Sequence, residues 1–359
     1  MTEDLYAGRC ACTGAEETSI GNFFGALENS FRKASVNTLS ERCFEIADRV
    51  VRLRFAGSRL VPLMTRAFEH LAIEETASPS LDICLFDSVS TGVAIPPPPW
   101  SKDSYGAHGE IRGYNNERFN TAFNLGSYIL SMLDAKKKLA FFWTRDASRI
   151  PPYEYAAPLR AILHWWMRRD NRQLVHAAAV GTPKGCVLIA GKGGSGKSST
   201  ALACLSSGLL YLGDDYVLLG KNPEPSVYSV YSSAKLNTSW AKNFSRLLPA
   251  VSDAREKVKD KLILFLQNHF SDKIVNRLPV RAILLPKISS RKETSLCKTT
   301  HAAALAAIAP SSIFQLPGAK PQDFEDIANF VKQMPAYIIE LGHDIHGIAD
   351  AIIDFLHKK

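Results

Sequence analysis

Long apolar runs are missing from this sequence. No window reaches the roughly eighteen consecutive apolar residues that a membrane-spanning helix needs. The most apolar stretch, from His301 to Pro310, is short and rich in alanine, which predicts a helix. The first residues also lack a basic region followed by an apolar one, the pattern of a secretory signal. We therefore expect no membrane partner and a cytoplasmic location.

The cysteines lack the regular spacing that is typical of a disulfide-bonded protein. The seven cysteines are an odd number without regular spacing, which indicates reduced thiols. Cys10 and Cys12 lie close together, but no second pair or histidine motif completes four zinc ligands. The pattern favours neither disulfides nor a zinc site.

Positive charge is in excess but is not arranged for nucleic acid. The formal net charge is +8, yet no segment interleaves dense Lys and Arg with aromatic residues. We expect no nucleic-acid partner, and a basic surplus that serves phosphate ligands and solubility. The 359 residues are 46% hydrophobic, enough for a substantial core in two structural parts.

The pattern along the chain divides it into three regions. Residues 1–40 show little periodicity and are interpreted as a loose lead-in. Residues 41–154 are interpreted as a strand-rich N-terminal lobe, with strands over VVRLRFAG, LDICLFD, GEIRGY, SYILSMLD and KKLAFFWT. Residues 155–359 are interpreted as an α/β core with a mixed sheet and a C-terminal helix.

Two further helices are predicted inside that third region. Tyr155 to Asp170 has apolar residues at three-to-four spacing, and we interpret it as the hinge between lobe and core. The segment AREKVKDK, Ala254 to Lys261, mixes charges of both signs and is interpreted as a solvated helix face.

The strongest motif is a glycine-rich segment, Gly191 to Ser198, which we call the glycine loop. Its sequence GKGGSGKS matches the P-loop pattern G-x-x-x-x-G-K-[ST], and it lies between an apolar strand and a helix that stops near Gly208. Backbone N–H groups of such a loop converge on phosphate oxygens at a helix N-terminus. The alternative is an ordinary glycine-rich turn. The residues predicted to bind ATP are Gly191, Lys192, Gly193, Gly194, Ser195, Gly196, Lys197, Ser198 and Ser199.

Two adjacent carboxylates follow the next strand, LLYLG. Asp214 and Asp215 arrive at the same end of the sheet as the glycine loop, and Gly213 allows the chain to leave strand geometry there. We expect Ser198 and Asp214 to bind Mg²⁺, Lys197 to contact the β- and γ-phosphates, and Asp215 to accept the proton of an attacking hydroxyl. The alternative is a solvated Asp-Asp turn.

His176 lies on the strand before the glycine loop. If the segment TPKG turns a hairpin, antiparallel pairing places His176 opposite Ala190, beside the start of the loop. A catalytic role is one interpretation, and a hydrogen-bonded core histidine is the other.

The stretch from His176 to Leu219 resembles the catalytic core of HPr kinase/phosphorylase and the related HPr-kinase-like serine kinases. The histidine, the glycine loop and the Asp-Asp pair occur together at similar spacings. The resemblance implies a fold akin to phosphoenolpyruvate carboxykinase. It places His176, Lys197 and Asp215 on active-site positions, with Asp215 as the base and Ser198 as a magnesium ligand.

Two differences set this chain apart from the bifunctional members of that family. Those enzymes carry a glutamate after GKS, where this chain has Ser199, and a downstream LEIRG-type signature that is missing here. The reverse phosphorylase reaction and HPr itself as substrate therefore lack support. The sequence looks closer to divergent members that phosphorylate other acceptors.

Two further cations are candidates for stabilising charge on the transferring phosphoryl group. Lys235 follows the hairpin after the aspartates, and Arg281 begins a later strand that resembles the family's arginine-bearing segment. The alternative for both is a solvated basic residue.

The sequence as a whole predicts a Mg²⁺-ATP-dependent kinase with a hydroxyl acceptor, either a serine of a peptide or protein, or a small metabolite. The alternatives are a nucleotide-dependent switch that hydrolyses ATP slowly, and a carboxykinase-like enzyme on the same fold. Analogy with the family also suggests a homo-oligomer.

Overall fold

A computed structural model describes residues 14–74, 78–221, 223–254 and 256–358. Cys10 and Cys12 lie outside these residues. The five cysteines within them, Cys43, Cys84, Cys186, Cys204 and Cys297, are free thiols. Across the described ranges, no helix is long and apolar enough to cross a membrane.

The N-terminal lobe is a twisted sheet with one long helix against it. Its elements are α1 (Gly14–Ala34), β1 (Leu39–Ile46), β2 (Arg49–Ala56), α2 (Val61–Thr65), β3 (Ala72–Ile73), β4 (Leu81–Asp87), α3 (Ser88–Thr91), β5 (Phe119–Asn124), β6 (Ile129–Asp134) and β7 (Leu139–Thr144). In the described part of the lobe the strand order is β3-β1-β2-β4-β7-β6-β5. The inner strands β2, β4 and β7 are parallel, and the outer pairs are antiparallel.

Helix α1 corrects the interpretation of residues 1–40 as a loose lead-in. Its apolar side chains recur at three-to-four spacing, the period of one helix face, and they are buried: Ile20, Phe23, Phe24, Leu27 and Phe31. Phe24 lies 5.0 Å from Phe141 and 5.9 Å from Phe119, measured between ring centroids. The helix therefore covers one face of the sheet and is part of the core.

The core region continues without a break. Its elements are α4 (Pro152–Ala156), α5 (Arg160–Met167), β8 (Gln173–Val175), β9 (Ala178–Thr182), β10 (Gly185–Ile189), α6 (Lys197–Ser206), β11 (Leu210–Gly213), β12 (Val217–Gly220), β13 (Ser226–Tyr228), β14 (Ser233–Asn237), α7 (Leu248–Asp253), β15 (Lys257–Val258), β16 (Lys261–Phe265), α8 (Gln267–Phe270), β17 (Arg277–Ile288), β18 (Ser295–Lys298), α9 (His301–Ile313), α10 (Pro321–Lys332), β19 (Ala336–Leu341) and α11 (Ile345–His357).

The main sheet of the core mixes parallel and antiparallel strands, which confirms the predicted mixed α/β class. Among the described residues its order is β11-β9-β10-β17-β13-β12-β8, with β19 joined to β17 and β18 to β19. Strands β10, β17 and β19 are parallel to one another. Strands β14, β16 and β15 form a separate small sheet.

Side chains of β10 alternate between the two faces of this sheet, as strand geometry requires. Val187 and Ile189 pack in one apolar cluster with α6 and α11. Cys186 and Leu188 pack in another with α9 and α10. Helices therefore cover both faces of the sheet. The edge at the carboxyl ends of its parallel strands is not covered by these helices.

The predicted helix from Tyr155 to Asp170 is interrupted. It forms α4, then a break, then α5 and a 3-10 turn at Arg168–Asp170. Pro158 disfavours helical geometry at Ala157, and Leu159 takes a positive φ of 60°. Leu159 and Leu163 pack in a cluster that also holds Phe44 and Leu218, so the lobe and the core share apolar packing.

Two shorter predictions were wrong. GEIRGY forms only isolated bridges, at Glu110 and Ile111, because Gly109 and Gly113 take left-handed φ values of 86° and 78°. The segment predicted as a charged helix instead holds β15 and the start of β16, joined by a turn in which Lys259 has a φ of 56°.

A stability measurement tests the role of α1. We expect Phe24→Ala to lower the free energy of unfolding by about 3–5 kcal/mol, because it removes a fully packed aromatic ring. Phe324→Ala, at a helical position where the ring is 48% exposed, is the control and should cost under about 1 kcal/mol. Equal effects in urea denaturation would show that α1 does not contribute to the core.

Candidate active site

One edge of the main sheet gathers the groups that the sequence singled out. Strands β10 and β11 both pair antiparallel with β9, which lies between them, so they run in the same direction. The glycine loop leaves the end of β10, and the aspartate pair leaves the end of β11. The chain before β9, which carries His176, enters at this same edge. Strand direction alone therefore brings three distant segments together.

Within the glycine loop, two positions require glycine. Gly194 and Gly196 have φ values of 82° and 105°, which side chains rarely tolerate. A Cβ atom at Gly196 would also lie 2.6 Å from the Leu341 side chain. Helix α6 begins at Lys197, within the last two residues of the glycine loop, so backbone N–H groups of the first helical turn face the same edge.

Lys197 is folded back into the loop. Its side chain is buried, and Nζ donates hydrogen bonds to the carbonyl oxygens of Gly191 at 2.6 Å and Lys192 at 3.2 Å. Burial lowers the pKa of Lys197, while the charges of Asp214 and Asp215 oppose that shift. The Lys197 ammonium group thus lies buried beside the loop. An anion bound there could offset the cost of its desolvation.

The first aspartate is buried and has one free oxygen. Asp214 Oδ2 accepts a hydrogen bond from the backbone N–H of Lys235 at 2.9 Å, whereas Oδ1 is buried and has no hydrogen-bond partner within the described part of the chain. Burial raises the pKa of Asp214, and the hydrogen bond from Lys235 only partly offsets this. The Ser198 hydroxyl also acts to lower that pKa.

The second aspartate is held by two partners. Asp215 Oδ1 accepts a hydrogen bond from His176 Nε2 at 3.1 Å, and Oδ2 pairs with Lys235 Nζ at 2.6 Å. Burial acts to raise the pKa of Asp215, but the His176 hydrogen bond and the Lys235 charge outweigh it and hold that pKa well below its usual range. These two partners therefore fix the position of the Asp215 carboxylate and hold it ionised at neutral pH.

His176 occupies a bend between β8 and β9. Strand pairing places Ala178 opposite Ile189, and Ala177 would follow opposite Ala190, so the predicted pairing of His176 with Ala190 is one residue out of register. The imidazole stacks on the ring of Tyr216, with 5.3 Å between centroids. Tyr216 directly follows the aspartate pair in the sequence, but we predicted no role for it.

Four of the five predicted catalytic residues lie together, and one does not. His176, Lys197, Asp215 and Lys235 share this edge. Arg281 lies near the start of β17, which runs parallel to β10, and its Nε donates to the carbonyl of Lys184 at the opposite end of the sheet. Parallel strand direction thus keeps Arg281 away from the aspartates, and we leave it out of the site.

A divalent metal fits this arrangement only together with further ligands. Within the described ranges, no group of three or more His, Cys, Asp or Glu side chains is arranged as a metal site. Asp214 Oδ1, which lacks a partner, and the nearby Ser198 hydroxyl are oxygen donors of the kind that Mg²⁺ prefers. Mg²⁺ commonly takes its other ligands from phosphates and water, so these residues fit it.

Comparison with known proteins adds little. No family model matches the sequence, and no curated protein matches it. Among solved structures, the chain is similar to the HPr(Ser) kinase/phosphatase from Coxiella burnetii, with 15% identity over 52% of this chain and 96% of that one, and a TM-score of 0.28. A likeness this low supports no conclusion about function.

The two aspartates should respond differently to isosteric neutralisation. We expect Asp215→Asn to destabilise the protein by about 1–3 kcal/mol at pH 7, because Lys235 loses its partner. Asp214→Asn, the matched neighbour, should cost less, because burial already disfavours the Asp214 charge. Urea denaturation of both variants measures the difference, and equal losses would contradict it.

The same pair gives a pH test with a defined sign. The pKa of Asp215 is depressed on folding, so its stabilisation is complete above the unfolded value of about 4 and is lost as pH falls toward the folded value. The cost of Asp215→Asn should therefore be constant from pH 7 to 5 and shrink below about pH 4. A cost that grows on acidification would contradict the ion pair.

Proposed function

We propose that this protein is a Mg²⁺-ATP-dependent kinase that transfers the γ-phosphoryl group to a hydroxyl acceptor. The observation that supports this best is the Asp215 carboxylate, held ionised between His176 and Lys235 at the same sheet edge as the glycine loop. A loop suited to phosphates, with a fixed proton acceptor beside it, is the minimum that phosphoryl transfer to a hydroxyl requires.

The glycine loop would act as a P-loop. Its backbone N–H groups and the N-terminus of α6 suit the negative charge of a triphosphate. Lys197 now satisfies its donors on two loop carbonyls. On nucleotide binding it would exchange these for β- and γ-phosphate oxygens, which also restores a charge partner to a buried ammonium.

Ser198 and Asp214 would hold Mg²⁺, which supplies charge neutralisation between the β- and γ-phosphates when bound. Among the residues that the structure describes, Asp214 Oδ1 has no hydrogen-bond partner. A buried carboxylate whose pKa is raised by desolvation gains strongly from a cation, because the cation removes that penalty.

In the transfer step, the acceptor oxygen forms a bond to the γ-phosphorus while the bond to the β,γ-bridging oxygen breaks and ADP departs. The hydroxyl proton passes to Asp215 and is later released to water. Lys235 would turn from Asp215 toward the phosphoryl oxygens, which stabilises their charge and raises the basicity of Asp215 at the same moment.

A slow ATP-hydrolysing switch is the main rival. Such a protein needs a metal ligand near the phosphates, a role that Asp214 would fill, whereas a second carboxylate aligned by a histidine and a lysine suits deprotonation of an acceptor hydroxyl. The stacked, hydrogen-bonded setting of His176 and Asp215 favours a kinase.

The Asp215→Asn variant separates the two functions. We expect it to retain Mg²⁺-ATP affinity within about threefold while transfer to the acceptor falls by about 10²–10⁴, the usual worth of a positioned base. Isothermal titration and label transfer from [γ-³²P]ATP in an extract of the source cells measure the two quantities. Unchanged transfer in Asp215→Asn would exclude this base, and absence of any labelled product in wild type would favour the switch.

The role of Lys197 is tested by binding alone. We expect Lys197→Met to weaken Mg²⁺-ATP binding by at least about tenfold, about 1.4 kcal/mol, because the phosphates lose their buried cation. Lys332→Met, the same change at an exposed position on α10, is the control. If both variants bind Mg²⁺-ATP like wild type, the glycine loop is not a phosphate site.

A further inference from the structure

Few contacts hold the ring of His176, the residue that aligns the proposed base. His176 lies in the bend between β8 and β9, and its backbone N–H donates to Ser312 Oγ at 3.0 Å. In the ring, Nε2 contacts Asp215 Oδ1, whereas Nδ1 is buried and has no hydrogen-bond partner in the part of the chain that the structure describes. The χ2 torsion of histidine has broad minima, so a single hydrogen bond does not fix the plane of the ring.

The ring of Tyr216 supplies a second contact. The two rings are stacked, with 5.3 Å between their centroids and an angle of 30° between their planes, a separation that aromatic pairs favour. Tyr216 is only 3% exposed and belongs to the apolar cluster that the lobe and the core share. Because close packing in this cluster restricts the Tyr216 ring, the ring offers His176 a fixed surface.

Polar and charged groups contact the Tyr216 side chain as well. Tyr216 Oη donates to Gln315 Oε1 at 3.3 Å, and the guanidinium carbon of Arg160 lies 5.8 Å from the centroid of the tyrosine ring. Arg160 in turn donates to Glu154 at 3.1 Å. A continuous line of contacts therefore runs from α4 and α5 through Tyr216 to the imidazole stacked on it.

We propose that Tyr216 is a positioning residue, whose ring holds the His176 imidazole in the orientation in which Nε2 meets the Asp215 carboxylate. The proposal rests on the kinase function proposed above and deepens it, because it names what aligns the base. A displacement of about 1 Å can cost about a hundredfold in rate, since the reacting atoms no longer align. Tyr216 acts here through His176, so it affects the transfer step and not the affinity of the glycine loop for Mg²⁺-ATP.

Substitutions of Tyr216 in the full-length protein test this role. We expect Tyr216→Leu, which removes the ring, to lower label transfer from [γ-³²P]ATP in an extract of the source cells at least about tenfold at saturating ATP. Tyr216→Phe keeps the ring and loses only the hydroxyl, so transfer should stay within about threefold of wild type. The KM for ATP should change less than about twofold in either variant. Tyr216→Met, whose flexible side chain fills core gaps readily, is measured in parallel and should behave like Tyr216→Leu.

A matched control separates positioning from packing. Tyr228 is also 3% exposed and lies in the same apolar cluster, but its ring contacts the guanidinium groups of Arg172 and Arg277. We expect Tyr228→Leu to lower the midpoint of urea denaturation as much as Tyr216→Leu does, with label transfer within about threefold of wild type. An equal loss of transfer in Tyr228→Leu would show that Tyr216 only packs the core, which overturns the proposal.

A spectroscopic measurement follows the ring of His176 directly. In protein with isotope-labelled histidine, the His176 signal of a proton–carbon correlation spectrum is identified by its loss in His176→Gln. A stacked aromatic ring shifts the resonances of its neighbour, so we expect this signal to move in Tyr216→Leu. It should stay near its wild-type position in Tyr216→Phe and in Tyr228→Leu. An unmoved signal in Tyr216→Leu would contradict the stacking role.

The outcomes keep this inference apart from the proposed function. If wild type transfers no label, the kinase function fails and this inference fails with it. If wild type transfers label and Tyr216→Leu transfers it at the same rate, only the positioning role fails. Equal losses in Tyr216→Phe and Tyr216→Leu would assign the effect to the hydroxyl and also overturn the role of the ring. A loss confined to Tyr216→Leu and Tyr216→Met, with a shifted His176 signal, supports it.

Discussion

The balance of forces on the Asp215 carboxylate is the constraint on which the site depends. Desolvation alone raises the pKa of this group, and a protonated carboxyl group could not accept a proton. A hydrogen bond from His176 and the charge of Lys235 reverse the effect. These partners come from the bend before β9 and from β14, so the carboxylate is correctly charged only when the main sheet and the small sheet are both in place.

The neighbouring aspartate shows how local geometry divides two identical side chains. Pairing of β11 with β9 shifts register between Tyr211 and Gly213, and the chain leaves the strand there. Asp214 then points into a buried setting with one oxygen unpartnered, and Asp215 points to its two partners. Asp214 has an oxygen without a cationic partner, whereas Asp215 is paired with Lys235. This difference suits the roles proposed for them, metal binding and base catalysis.

The N-terminal lobe is not a separate appendage. A single apolar cluster holds Phe44 and Phe68 of the lobe together with Leu163 and Tyr231 of the core. The lobe and the core are therefore packed through one shared cluster of apolar side chains.

Features of the fold and the site could be predicted from the sequence where they depend on interactions between residues close together in the chain. The glycine loop, its flanking strand and helix, and the Asp-Asp pair are local patterns, and the sequence alone determined them because backbone conformation and strand alternation act over a few residues. The sequence also carries the pattern of α1, because Ile20, Phe23, Phe24 and Leu27 recur at three-to-four spacing, although we predicted a loose lead-in there.

Other features were decided only by tertiary structure. Nothing local to Arg281 and Lys235 distinguishes them, yet the direction of β17 removes the first from the site and the pairing of β14 with β16 delivers the second. The same holds for Tyr216, whose partners His176 and Gln315 come from segments far apart in the chain. Charge and packing between distant segments are set by how sheets pair, and pairing is a property of the whole fold.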